Sequence, residues 1–187
     1  IEHARTVNKD WDRRSTITHV QVVHPDDLPR FKELGVIANF QAHWAQEDDL
    51  MTKLTAPRLG PERTNLQYPV GTLWRDGARL SFGSDWPVSP NNFVETMLVA
   101  ATRQTGNGSP AEGWVPEQRI TVHDGLLIAT AGTAYQSYTE EYRGKLQVGM
   151  TADLVVLDRD VTSVEPLVAR KAVAVETYLN GSQVFAR

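Results

Sequence analysis

The sequence predicts an α/β fold: a parallel sheet flanked by helices, followed by an antiparallel β tail. Three observations carry this reading. Up to about residue 143, strand-like runs at 16–23, 36–41 and 79–85 alternate with helix-like ones, the pattern of βαβ units. From Gly144 the pattern changes to short β runs at 153–158, 172–179 and 183–185, the last two joined by Asn180-Gly181, a strong hairpin signal. Leu80 to Asp85 alternates with a two-residue period and ends in a carboxylate before Trp86-Pro87. Parallel α/β folds place their ligand chemistry at such strand ends. Residues 1–143 and 144–187 are therefore expected to form two structural units.

Each element has a local reason. Residues 1–7 carry Ile1, Ala4 and Val7 at helical spacing, and 8–14 is a polar break. The β-branched run 16–23 predicts a strand with Ile17, His19 and Gln21 on one face. His24-Pro25-Asp26-Asp27 opens a helix that Gly35 closes. Residues 36–41 predict a second strand leading to His43-Trp44, and 46–65, with Pro57, Gly60 and Pro61, predict a long loop with one helical turn near 48–54. A helix is expected over 68–76 and the third strand over 79–85, where Leu80, Phe82 and Ser84 face opposite to Ser81, Gly83 and Asp85. Residues 93–103 carry an apolar helical stripe. Residues 105–116, rich in Gly and Pro, predict an exposed loop, and a helix begins at Thr121 with Thr121 and Asp124 spaced as a capping box, breaking near Gly132.

Composition narrows the functional classes. The 187 residues are 41% hydrophobic and 22% charged, as in a soluble globular protein. A net charge of -4 offers no electrostatic footprint for nucleic acid or an anionic membrane surface. The absence of cysteine removes disulfides and thiolate metal ligands. No apolar run reaches the roughly 20 residues of a membrane span, and no signal peptide is visible, which makes a cytoplasmic location the expectation.

His19 and Asp85 end two of the three inward strand faces, and Gln41 ends the other. Imidazole and carboxylate are the ligands of catalytic zinc sites, which keep one position open for water. The bland alternatives stay open for both: a satisfied core histidine, and an aspartate that caps a helix. His43, Trp44 and Trp86 follow strand ends and could line a pocket or serve as packing. His3, His24 and His123 read as surface residues, and Asp153 as the support of a turn.

Several segments together resemble the C-terminal portion of the metal-dependent amidohydrolases, in the amidohydrolase-3 branch that includes N-substituted formamide deformylase-like proteins. Thr18-His19-Val20-Gln21 with His24-Pro25-Asp26-Asp27 and Arg30-Phe31 resembles that branch's sixth barrel strand and helix. Residues 34–41 resemble its seventh strand, and Phe82-Gly83-Ser84-Asp85-Trp86-Pro87-Val88 its eighth. Gly144-Lys145-Leu146, Gly149 and residues 152–158 are similar to the return into a small β-sandwich. The chain departs from the branch at Thr18, where Glu is usual, and at Ala42, where Pro is usual.

The resemblance implies strands six to eight of a (β/α)8 TIM-type barrel over 1–143, then sandwich strands over 144–187. It implies a hydrolase acting on an amide or other non-peptide C–N bond of a small molecule. His19 would be a metal ligand, and Asp85 both a ligand and the proton acceptor. Gln41, His43, Trp44 and Trp86 would meet the substrate. The metal would be divalent, zinc by expectation, as one or two ions. The family's other ligands lie on strands with no counterpart here, so the ligand set is incomplete and the missing N-terminal barrel segment is the implied partner. Two further readings stand beside this one: a non-catalytic barrel remnant serving as a binding or regulatory module, and a homo-oligomer in which two copies complete a sheet across the open edges.

Overall fold

The computed structural model describes residues 1–9 and 11–187, so residue 10 of the expected polar break 8–14 lies outside the described residues. After the short helix α1 (Glu2–Val7) comes β1 (Thr16–Thr18), then α2 (Leu28–Glu33), which starts from a one-turn 3-10 segment at Pro25–Asp27. Gly35, at φ +64°, ends that helix as expected. β2 (Ile37–Phe40), α3 (Ala56–Thr64), α4 (Val70–Arg75) and β3 (Arg79–Phe82) follow. The strands form one parallel sheet in the order β1–β2–β3, with Thr18 beside Asn39 and Phe40 beside Phe82. All three therefore run out at the same rim.

Strand β1 is shorter than its alternation predicts, and the reason lies in the backbone. His19 and Val20 take φ of +69° and +49°, a left-handed pair that no pleated strand accommodates. The shared face expected for Ile17, His19 and Gln21 therefore ends at Thr18. A second correction concerns 46–65, which is largely helical, as a π turn at Met51–Thr55 continued by α3. Pro57 sits in the first turn of α3, and Gly60, at φ +76°, breaks it so that Pro61 restarts a turn. Both prolines thus occupy places that need no N–H donor.

Beneath the sheet, Ala38, Phe40, Leu80 and Phe82 pack with Phe31, Leu73, Val99, Ala100 and Ile128 in one apolar core. Full burial of a side chain such as Phe40 contributes roughly 2–3 kcal/mol. The covering helices are α2, α4, α5 (Phe93–Thr102) and a longer one made of α6 (Val122–Leu127), a π turn (Ile128–Gly132) and α7 (Thr133–Gln136). The expected break near Gly132 is therefore a change of pitch, and the helix runs on. It crosses the free edge of β3 at close range: a Cβ on Gly132 would stand 2.2 Å from the Leu80 carbonyl oxygen. That edge of the sheet is covered. β1 keeps its free edge, with Ile17 and Thr18 exposed.

The capping box at the start of α6 forms as the spacing predicts. Thr121 Oγ1 accepts from the Asp124 N–H at 3.0 Å, and Asp124 Oδ2 accepts from the Thr121 N–H at 3.3 Å. Replacing Thr121 with Ala is expected to cost about 1 kcal/mol, read as a lower urea midpoint at constant slope.

Residues 105–116 are not wholly exposed as expected. Trp114 and Val115 are buried, because Arg103 leaves α5 in a left-handed cap and draws Trp114 over itself. The tail forms an antiparallel sheet of β4 (Leu154–Leu157), β5 (Ala174–Leu179) and β6 (Ser182–Ala186), with α8 (Pro166–Ala169) before β5. Asn180 and Gly181 both take positive φ, the geometry of a tight two-residue hairpin. Asp153 anchors that turn, accepting from the Asn180 N–H at 2.7 Å and pairing with Arg143 at 2.8 Å.

Candidate metal and substrate site

The rim where the parallel strands end gathers the expected chemistry. His19 follows β1 and Asp85 follows β3 by three residues, and their side chains face each other with His19 Nε2 3.9 Å from Asp85 Oδ1. Both residues have left-handed backbones, at φ +69° and +64°. That conformation costs a non-glycine residue roughly 1–2 kcal/mol, so the surroundings must hold it. At Asp85 a tight turn does so: its carbonyl accepts from the Val88 N–H at 2.8 Å and the Ser89 N–H at 3.3 Å.

At His19 the hold comes from Gln41. The Gln41 Oε1 accepts from the His19 N–H at 2.9 Å, and its Nε2 donates to Asn39 Oδ1 at 2.7 Å. Asn39 in turn donates to Ser81 Oγ at 2.8 Å and to Gln136 Oε1 at 3.1 Å. Gly83 makes room for this chain, since a Cβ there would stand 2.8 Å from the Gln41 Nε2. Gln41 is therefore buried, bracing the His19 main chain with its amide oxygen and Asn39 with its amide nitrogen.

A pocket of about 260 Å³ opens at the rim, lined among others by His19, Trp44, Asp48, Tyr68 and Asp85. Of the expected lining residues only Trp44 belongs to it. His43 stands behind Trp44, edge-on at 5.2 Å between ring centroids. Trp86 points outward, 70% exposed, because the turn after Asp85 swings it away from the rim. Larger hollows exist; the one of about 670 Å³ lies at the opposite end of β3, beside Gly77, Ala78 and Arg79. It lacks the paired imidazole and carboxylate.

Tyr68 and Asp48 join the pocket without any signal in the sequence. The Tyr68 phenol is pushed up to about 12, chiefly by burial and against the nearby Arg103 charge, with Asp48 and Asp85 adding to the rise. It remains a neutral hydroxyl throughout the physiological range. Burial pulls Arg103 down to about 10, still high enough to keep its charge.

Two ligands of a tetrahedral zinc, each about 2.0–2.1 Å from the ion, stand roughly 3.4 Å apart. The 3.9 Å between His19 and Asp85 is within a small side-chain rotation of that spacing, so the two fit as part of a ligand set. Among the described residues no three His, Asp or Glu side chains gather closely enough to hold a metal ion. No helix is long and apolar enough to cross a membrane among the described residues.

Known proteins resemble this chain in sequence or in fold. The chain is 31% identical over 98% of its length to Protein LONG AFTER FAR-RED 3 of Arabidopsis thaliana, covering 31% of that protein. It is 31% identical over 61% of its length to the N-substituted formamide deformylase of Arthrobacter pascens, covering 20% of it. It thus spans about a third or less of these relatives. The structure of an uncharacterized metal-dependent hydrolase from Pyrococcus furiosus superposes with a TM-score of 0.64 at 28% identity, over 82% of this chain and 29% of that one. The Amidohydrolase family model matches residues 1–185, and the chain belongs to that family.

Proposed function

We propose that the chain is the C-terminal part of a metal-dependent hydrolase acting on an amide or other non-peptide C–N bond of a small molecule. Residues 1–143 would supply strands six to eight of a (β/α)8 barrel, and 144–187 strands of a small β-sandwich. The observation that carries the reading is the convergence of His19 and Asp85 at the C-terminal rim of a parallel sheet. The family membership and the similarity to a metal-dependent hydrolase support it.

His19 and Asp85 would hold a divalent ion, zinc by expectation, with the remaining ligands supplied by the N-terminal segment of a longer protein. The ion's contribution, when bound, is to lower the pKa of a water to about 7. Asp85, its backbone fixed by the turn to Val88 and Ser89, would accept the proton of that water. Gln41 braces the main chain that carries the imidazole, and Trp44 would give the pocket an apolar wall.

Zinc calorimetry on the 187-residue chain tests this assignment. His19→Ala and Asp85→Asn are each expected to weaken zinc binding at least ~10-fold, about 1.4 kcal/mol; unchanged affinity in both would overturn the site. The chain alone is expected to show no zinc-dependent hydrolysis of an N-substituted formamide, because two ligands fall short of the three that a catalytic zinc site uses.

One observation favours the other reading, a non-catalytic module. Gln136 reaches over the sheet to Asn39 and Ser81, both on the strand face that leads to the site. The chain therefore covers part of that face with its own helix. Turnover restored by adding the N-terminal segment would exclude this alternative.

A further inference from the structure

The pocket of His19 and Asp85 is also lined by a residue that the strand-end chemistry leaves unused. Tyr68 is 4% exposed, and its backbone is fixed on every side. Its N–H donates to the Gln21 carbonyl at 2.8 Å. Its own carbonyl accepts from the Val70 N–H at 2.7 Å and from the Arg103 guanidinium at 3.2 Å. The same guanidinium also binds the carbonyls of Gln67 at 3.3 Å and Trp114 at 2.9 Å, and it faces the Tyr68 ring 6.0 Å from its centroid. Tyr68 lines the pocket, and its hydroxyl is not among the fully buried side-chain atoms that lack a partner.

The rest of that lining is rich in acceptors. Asp85 faces His19, Asp48 accepts from the Met51 N–H at 2.8 Å, and Gln21 spends its amide on Gln67 at 2.8 Å. An amide ligand presents an oxygen that needs a donor, and two carboxylates cannot provide one. The Tyr68 hydroxyl makes no hydrogen bond among the described residues, and a phenol, with its ordinary pKa near 10, keeps its proton at neutral pH. Preorganised neutral donors of this kind stabilise an oxygen that gains negative charge as an acyl group reacts.

We propose that Tyr68 is the hydrogen-bond donor to the ligand's carbonyl oxygen in this pocket, with Arg103 as its positioning residue. The inference rests on the amide-hydrolase reading above and adds the residue that grips the substrate oxygen.

The probe is acetohydroxamate, an amide-like chelator, titrated by calorimetry into the zinc-loaded 187-residue chain after zinc affinity has been measured alone. Tyr68→Phe removes one oxygen and keeps the ring. Zinc affinity is expected to stay within about twofold of the parent, while hydroxamate affinity falls ~10-fold, the size of one well-placed hydrogen bond. Arg103→Lys keeps a cation but not the fork. It is expected to weaken the hydroxamate several-fold, leave zinc binding unchanged, and add nothing when combined with Tyr68→Phe. Such non-additivity marks action through the tyrosine, which general loosening of the fold would not produce.

Equal hydroxamate affinity in Tyr68→Phe and parent, with zinc bound, would overturn the proposal and leave the metal assignment standing. A parent that binds zinc but no hydroxamate would do the same. A parent that binds no zinc would overturn the metal assignment, and this proposal with it.

Discussion

Arg103→Met is expected to lower the stability of the chain by about 4 kcal/mol, seen as a large fall in the urea midpoint at unchanged slope. The guanidinium is fully buried, forks to the carbonyls of Trp114, Tyr68 and Gln67, and stacks 4.9 Å from the Trp114 ring centroid. Methionine matches much of the volume but donates nothing, so the Trp114 and Gln67 carbonyls would lie in an apolar setting without the donor they now have, while the Tyr68 carbonyl keeps only its bond from the Val70 N–H. Each orphaned buried group costs about 1–3 kcal/mol, partly relieved by relaxation. No carboxylate is paired with this arginine among the described residues, so lost ion pairing is not the cause. The argument is therefore about directional donors, and Arg103→Lys should recover only part of the loss because one ammonium cannot reach three carbonyls. A midpoint shift for Arg103→Met equivalent to less than 1 kcal/mol would show that the carbonyls find other partners.

Gly132→Ala is expected to destabilise by about 3 kcal/mol, against the local helix preference, which favours alanine over glycine by roughly 1 kcal/mol. The added methyl would meet the Leu80 carbonyl oxygen at 2.2 Å, and that atom belongs to a strand backbone that cannot rotate away. The helix must instead lift from β3. This would disturb the hydrogen bonds that Gln136 Oε1 accepts from Asn39 and Ser81 and, through Gln41, the hold on His19. Hydrogen exchange would show faster exchange at β3 amides. An alanine variant as stable as its parent would mean that the close approach does not fix the helix.

Much of the fold was legible because alternation and capping are local. The alternation of strand-like and helix-like runs that implied a parallel sheet, the Thr121 box and the Asn180-Gly181 hairpin each rest on local patterns. Where the sequence misled, long-range packing was the cause. Pro57, Gly60 and Pro61 suggested a loop, yet their places at helix starts and at a kink suit a helix. Trp114 sat in a Gly- and Pro-rich stretch and was claimed by a buried cation eleven residues earlier.

At the site, His19 and Asp85 could be named because strand ends are where such groups collect. Their left-handed backbones could not be, since neither is glycine. The brace that Gln41 forms to His19 and Asn39 had no local signal, because it joins residues 22 apart in the chain. Tyr68 stayed hidden because one tyrosine after a long segment has no period to mark it.

The backbone bend at His19 has a bearing on protein design. Because the ladder stops at Thr18 and the next two residues turn the other way, the ring's heading is dictated by main-chain torsions and a glutamine brace instead of by the pleat. Grafting the histidine and aspartate onto another sheet by copying side chains alone would aim both groups wrongly. A transplant would have to carry residues 18–21, 83–89 and the brace at 41 together.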